Sequence, residues 1–133
     1  MPVRSYPFSS TRPGDIARPF VPVTIINPET GNRIKVLALI DTGADECALP
    51  ASFARILGHN LEAGEPKKIN TVNGMTVAYR HTTRIEIEEF ATQDVLIDFL
   101  PNLSIPLLGV KSFLANFILT IDYPNQTFSL QLP

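Results

Sequence analysis

Apolar and polar residues alternate over most of this chain, in short runs interrupted by proline, glycine and asparagine. That is the pattern of half-buried strands rather than of helices. Phe20, Val21, Val23, Ile25 and Ile26 make the first clear run, and Asn27-Pro28-Glu29-Thr30-Gly31-Asn32 stops it with turn-forming residues. Ile34, Val36, Leu37, Leu39 and Ile40 then predict a strand returning against the first, so that the far end of the hairpin carries Asp41. Residues 69–72 and 75–79 flank Asn73-Gly74, a strong two-residue hairpin signal. Ile85 with Ile87, and residues 95–97, supply two more strands, while residues 117–121 and 127–132 form a last pair around Asp122-Tyr123-Pro124-Asn125. Helix signals are few. The stretch Leu49-Pro50-Ala51-Ser52-Phe53-Ala54-Arg55-Ile56-Leu57-Gly58 predicts one or two helical turns, with Pro50 in the first turn and Gly58 at the stop. A short helix over about residues 110–116 follows Leu107-Leu108-Gly109. Residues 1–18 hold Pro2, Pro7, Pro13 and Gly14 without periodicity and read as an extended or mobile arm before a domain of residues 19–133. About seven short strands with so little helix predict an all-β fold: a small, closed, barrel-like and mostly antiparallel domain with one short C-terminal helix.

Composition narrows the chemistry. With 133 residues, 44 % hydrophobic and 18 % charged, the chain is a single globular domain rather than a disordered one. A net charge of −2 and no basic run longer than Lys67-Lys68 argue against phosphate-driven nucleic-acid binding. The single cysteine, Cys47, excludes an intrachain disulfide, offers no metal cluster and reads as a buried neutral thiol. His59 and His81 stand 22 positions apart with no accompanying ligands and read as surface or turn histidines. Glu86, Glu88 and Glu89 read as a solvated strand face, and Asp122 as a turn residue. No apolar run reaches the ~18 residues of a membrane span, and the N-terminus lacks the apolar core of a secretory signal. The expectation is a cytoplasmic protein without metal or organic cofactor.

The most informative stretch is Ala38-Leu39-Ile40-Asp41-Thr42-Gly43-Ala44-Asp45. A strand that ends by delivering Asp41 into a glycine turn holds a carboxyl group in a partly dry place. Two carboxyl groups sharing one proton can activate water, because like charges a few ångströms apart cannot both ionise. The stretch occurs once and the chain has no internal repeat, so each chain supplies one such group. A two-fold dimer with both copies of Asp41 on its axis would supply the pair. In that arrangement the Thr42 hydroxyl can hydrogen-bond across the axis, and Gly43 lets the backbone turn so that amides approach the carboxylates.

Apolar-apolar-Asp-Thr-Gly-Ala resembles the signature of the retropepsin-like aspartic proteases, the single-lobe branch found in retroviruses and in cellular and bacterial relatives. Three blocks over residues 19–132 carry the resemblance, in the family's order: residues 39–49 with Asp41, then Thr71-Val72-Asn73-Gly74, then Pro106-Leu107-Leu108-Gly109-Val110-Lys111-Ser112-Phe113-Leu114. About thirty residues separate each from the next. The resemblance implies an aspartic endopeptidase acting as a homodimer on peptide or protein substrates, with Asp41, Thr42 and Gly43 in the catalytic loop. It implies that Ala44, Asp45 and Glu46 line the substrate groove and that Val72, Asn73 and Gly74 form the tip of the flap closing over bound peptide. Leu107 and Leu108 fall in the strand behind the catalytic loop and complete the expected substrate-binding set. The alternative is a catalytically inactive domain of the same fold that binds peptides or acts as a scaffold.

Overall fold

Alternation becomes strands in the computed structural model, which describes residues 3–133; Met1 and Pro2 of the expected arm lie outside the described residues. In chain order these are β1 (Val3–Pro7), β2 (Phe20–Ile26), β3 (Arg33–Ile40), β4 (Ala48–Pro50), α1 (Phe53–Ile56), β5 (Glu65–Thr71), β6 (Gly74–Ile87), β7 (Phe90–Ala91), β8 (Val95–Leu100), β9 (Leu107–Leu108), β10 (Ile118–Asp122) and β11 (Thr127–Gln131). Short 3-10 turns occupy Leu61–Ala63 and Leu114–Asn116.

β2 pairs antiparallel with β3 along its whole length and with β6 over residues 24–26, so the larger sheet closes through β2-β3-β9-β4-β8-β6 and back to β2. Pro22 falls outside the segment that pairs with β6, where a residue lacking an N–H is tolerated. Inward positions fill the barrel: Val21, Val23 and Ile25 of β2, Ile85 and Ile87 of β6, and Ile97 and Phe99 of β8 share one core with Leu49, Leu57, Leu108 and Phe113. Fully burying each such side chain contributes about 1.5–3 kcal/mol before conformational entropy is subtracted. Two neighbours run parallel, β3 with β9 and β4 with β8. Parallel strands need long connections, and each of these pairs is joined by an excursion that includes the β5–β6 hairpin.

Helix is scarcer than the sequence predicts. Leu49 and Pro50, expected within helical turns, instead join Ala48 in β4 against Asp98, Phe99 and Leu100 of β8. Only Phe53–Ile56 is helical, and Gly58 ends it at φ +79° with its N–H donated to the Arg55 carbonyl. The expected helix over 110–116 is reduced to the turn Leu114–Asn116, and Val110 and Lys111 give their N–H groups to the carbonyls of Ala44 and Asp45. The β5–β6 hairpin forms with its turn one residue earlier than predicted: Thr71 pairs with Gly74, Val72 and Asn73 make the bend, and Gly74 takes the positive φ of +112°.

The arm is extended and joined to the other end of the chain. β1 pairs along β11, which pairs in turn with β10, to make a three-stranded sheet. Tyr6 stacks on Phe128 at 5.2 Å between ring centres, and Phe8 packs edge-on to Tyr123 at 5.5 Å. Arg4 pairs with Glu88 at 2.6 Å and Glu89 at 3.3 Å. These two glutamates sit in the turn between β6 and β7, with Glu88 at φ +40°, and so are not part of one strand face with Glu86. Asp122 lies at the β10–β11 turn, where its carboxylate accepts hydrogen bonds from the backbone and side-chain amides of Asn125 at 3.1 and 2.8 Å. Those bonds hold its carboxyl below the usual range.

Barrel closure also brings together the two histidines, read from sequence as surface or turn residues; both are half-buried. The rings of His59 and His81 lie 4.4 Å apart, each packed edge-on against Phe99. His59 Nδ1 accepts from Asn27 Nδ2 at 3.4 Å, and His81 Nε2 donates to the Leu61 carbonyl at 2.8 Å. Burial, and then the neighbouring His81, hold His59 below its ordinary value, with Glu29 opposing. Below the unfolded value of 6.5 the unfolded chain therefore binds more protons at this position than the folded one. Stability is lost as pH falls through 6.5 towards the folded value. Urea unfolding at pH 7.5 and 5.5 should show a smaller acid-side loss for His59→Gln than for the wild type; a difference independent of pH would contradict this.

After β9 the chain passes so close to the segment following β3 that a Cβ built on Gly109 would overlap the Glu46 carbonyl group and reach the Ala44 oxygen at 2.9 Å. Neither obstacle is a flexible side chain. Gly109→Ala should destabilise the fold by about 1–3 kcal/mol or more, read as a lower denaturation midpoint at unchanged slope. A midpoint equal to that of the wild type would show that the backbones separate freely.

Candidate active site

β3 is held on both sides where it ends. Ile40 donates its N–H to the Pro19 carbonyl at 3.0 Å, while Leu39 and Asp41 donate to Pro106 and Leu108 on the β9 side at 2.9 and 3.1 Å. The β-branched, buried Ile40 is the last strand residue, and Asp41 emerges half-buried at the start of the loop. Asp41 organises that loop itself: Oδ1 accepts the Gly43 N–H at 3.0 Å, and its carbonyl accepts the Ala44 N–H at 3.2 Å. Gly43 does not adopt a left-handed φ. A Cβ there would meet Asp41 Oδ1 at 3.4 Å, an ordinary contact distance.

The rest of the loop is laced to the segment after β9. Val110 and Lys111 donate to the Ala44 and Asp45 carbonyls at 2.9 and 2.8 Å. Cys47 donates its N–H to Ser112 Oγ at 3.3 Å, and its sulfur accepts the Gly109 N–H at the same distance. Burial pushes the Cys47 thiol up, so the sulfur is a packed neutral group and not a nucleophile. Among the described residues, no group of three or more His, Cys, Asp or Glu side chains is arranged to hold a metal.

The expected site residues fall into three sets. Asp41, Thr42, Gly43, Ala44 and Asp45 share one loop, with Thr42, Gly43 and Asp45 exposed and Asp41 and Ala44 half-buried. Val72, Asn73 and Gly74 are exposed together at the hairpin tip, where the Thr71 hydroxyl closes the bend by donating to the Gly74 carbonyl at 2.7 Å. Glu46 and Leu108 are held by contacts within the chain. Leu108 is 1 % exposed and belongs to the core, so it supports Asp41 through its carbonyl. Leu107, beside it, is half-buried. The Glu46 carboxylate faces Arg80 at 3.2 Å and Lys111 at 3.8 Å.

Residues not anticipated from sequence complete this region. Arg80 on β6 also lies 3.3 Å from Asp98 on β8, and Asp98 accepts from Lys67 on β5 at 3.0 Å. Asp98 is 4 % exposed, and its signal was a lone charge inside the apolar run Val95-Leu96-Ile97-Asp98-Phe99-Leu100. A cleft of about 1010 Å3 lies away from the loop, between Arg12, Ile16 and Arg18 of the arm and Val36, Leu37 and Phe53 of the barrel. Its one carboxylate, Asp15, is paired with Arg12.

Known proteins resemble this chain in sequence profile and in fold. The sequence profile described as "gag-polyprotein putative aspartyl protease" matches residues 26–116. No curated protein sequence matches the chain. Among solved structures, a retropepsin-like aspartic protease from Rickettsia conorii superposes with a TM-score of 0.67 at 24 % identity, over 97 % of this chain and 91 % of that one. EIAV protease in complex with the inhibitor HBY-793 gives 0.49 at 21 % identity, over 75 % of this chain and 88 % of that one. Among the described residues, no helix is long and apolar enough to cross a membrane. With Asp41 at the end of a barrel strand, its loop seated against Gly109 and two thirds of the chain matched by the profile, this protein belongs to the gag-polyprotein aspartyl protease family and has the retropepsin-like fold.

Proposed function

We propose that this chain is an aspartic endopeptidase that works as a homodimer, each subunit contributing Asp41. The observation that carries the reading is the state of Asp41 in one subunit. It is half-buried, it sits at the end of a strand fixed on both sides, and it accepts the Gly43 amide at 3.0 Å. One carboxyl group so held is half of a hydrolytic centre. Beside it Thr42 and Gly43 are exposed in the single chain, where a partner's loop would meet them.

In the dimer two Asp41 carboxyl groups hold one proton between them. The ionised member takes a proton from water as the water oxygen attacks the peptide carbonyl carbon, and the protonated member donates a hydrogen bond to the carbonyl oxygen. Collapse of the tetrahedral intermediate breaks the C–N bond, and the proton taken from water passes to the leaving amine. Neither role belongs to one subunit. Ala44 and Asp45 lie along the groove, and the β5–β6 hairpin, with Val72, Asn73 and Gly74 at its tip, covers the substrate as an added strand. No metal or organic cofactor takes part in this chemistry. The protein from Rickettsia conorii, named as a retropepsin-like aspartic protease, supports the reading through its shared fold.

Asp41→Asn should abolish peptide cleavage, by at least about a thousandfold in kcat, with the fold and self-association unchanged. Cleavage at the wild-type rate by that variant would refute the assignment. Specific activity should fall on dilution in step with dissociation measured by sedimentation. A stable monomer that binds peptides without cleaving them would establish the scaffold alternative instead. Activity should also be bell-shaped in pH, since the centre works only with one proton shared. A rate that levels off on both flanks would contradict a shared proton.

A further inference from the structure

Asp98 is a buried carboxylate in a strand of the barrel wall, and the proposed chemistry does not use it. The register explains its surroundings: β8 lies between β4 and β6, with Asp98 opposite Ala48 on one side and Arg80 on the other. From there charges alternate in both directions. Lys67 of β5 lies 3.0 Å from Asp98, Arg80 of β6 lies 3.3 Å from Asp98 and 3.2 Å from Glu46, and Lys111 lies 3.8 Å from Glu46. Side-chain exposure is 6 % at Asp98, 16 % at Glu46 and 22 % at Arg80, rising to 38 % at Lys67 and 70 % at Lys111. The middle of the chain of charges is dry and its ends are wet.

We infer that Lys67, Asp98, Arg80 and Glu46 form an ionic strut that fixes the root of the β5–β6 hairpin against the Asp41 loop. Lys67 and Arg80 belong to the two strands of the hairpin, Asp98 to the barrel wall, and Glu46 to the loop. Arg80 is the shared element, giving a hydrogen bond to Glu46 and facing Asp98 by charge alone, since Arg80 Nε and Asp98 Oδ1 have no hydrogen-bond partner. Buried ion networks contribute little net stability compared with apolar packing, but breaking one member leaves an uncompensated charge. Such a network is therefore suited to setting one geometry. Glu46 is doubly constrained, its backbone by the approach of Gly109 and its carboxylate by Arg80. Arg80, Asp98 and Glu46 are accordingly positioning residues, and Glu46 acts through the loop rather than by touching substrate. The link to catalysis rests on the proposed protease activity; the mechanical coupling does not.

Amide hydrogen exchange on the ligand-free full chain reads that coupling directly. In Arg80→Gln, the amides of Ala44, Val110 and Lys111 in the loop lacing should exchange about tenfold faster together with those of β5, while β10 and β11 keep wild-type rates. Arg80→Lys should recover part of the protection at both places, which a general loss of packing would not. Faster exchange in β5 alone, with the loop unchanged, would overturn the strut. If Arg80→Gln fails to fold, Lys67→Gln at the exposed end carries the same test, because its effect must reach the loop across Asp98 and Arg80. On a peptide that the wild type cleaves, Arg80→Gln should raise KM several-fold with a smaller change in kcat; unchanged KM and kcat would remove the positioning role. Absence of cleavage by the wild type would refute the protease reading and leave the exchange result to decide the strut.

Discussion

The seat of the Asp41 loop on Gly109 is the constraint on which the rest depends. Two backbone segments, one following β3 and one following β9, approach so closely that no Cβ fits between them. The hydrogen bonds from Val110 and Lys111 to Ala44 and Asp45 require that approach, and so does the contact of the Gly109 amide with the buried sulfur of Cys47. A loop held by backbone bonds and by a steric fit has few alternatives, so the carboxyl group at its start is presented in a defined direction. Rigid support of this kind is what the proposed sharing of one proton by two carboxyl groups demands, because displacement of about 1 Å can cost about a hundredfold in rate.

The barrel exists to deliver that seat. β3 and β9 run parallel, which lets the ends of both strands emerge at the same rim, one carrying Asp41 and the other Gly109. Apolar packing by Phe99, Phe113, Leu49 and Leu108 beneath the rim sets the strands, and the charges of Glu46, Arg80 and Asp98 tie the rim to the hairpin above it. Packing and electrostatics thus act at different radii. The first is non-directional and gives stability; the second is directional and ties one element to another.

Much of this was legible in the sequence because it is local. The β2–β3 hairpin, the Asp-Thr-Gly turn, the β5–β6 hairpin and the final hairpin each announce themselves through alternation and turn residues within about twenty positions. What escaped depends on pairings between distant segments. Strand β1 has no periodicity of its own and forms because Tyr6 and Phe8 find Phe128 and Tyr123 at the other end of the chain. β4 was hidden by Pro50, a residue that also opens helices, and its partners β8 and β9 lie about fifty residues or more further along the chain. His59 and His81 meet through barrel closure, across residues that show no shared pattern. Glu46 and Leu108 lay within the right motifs, but the side to which each side chain points is decided by Arg80 and by the core. Sequence located the loop; contacts across the barrel decide where its side chains are held.

The central claim is that one chain carries half of a hydrolytic centre and that a symmetry-related copy completes it. The separation of the two Asp41 carboxyl groups in a crystal of the self-associated protein tests this most directly. The account predicts two facing loops on a two-fold axis with carboxyl oxygens within about 3 Å of one another, close enough to share a proton. Dimers whose Asp41 side chains face away from each other, or lie beyond the reach of a common water, would contradict it.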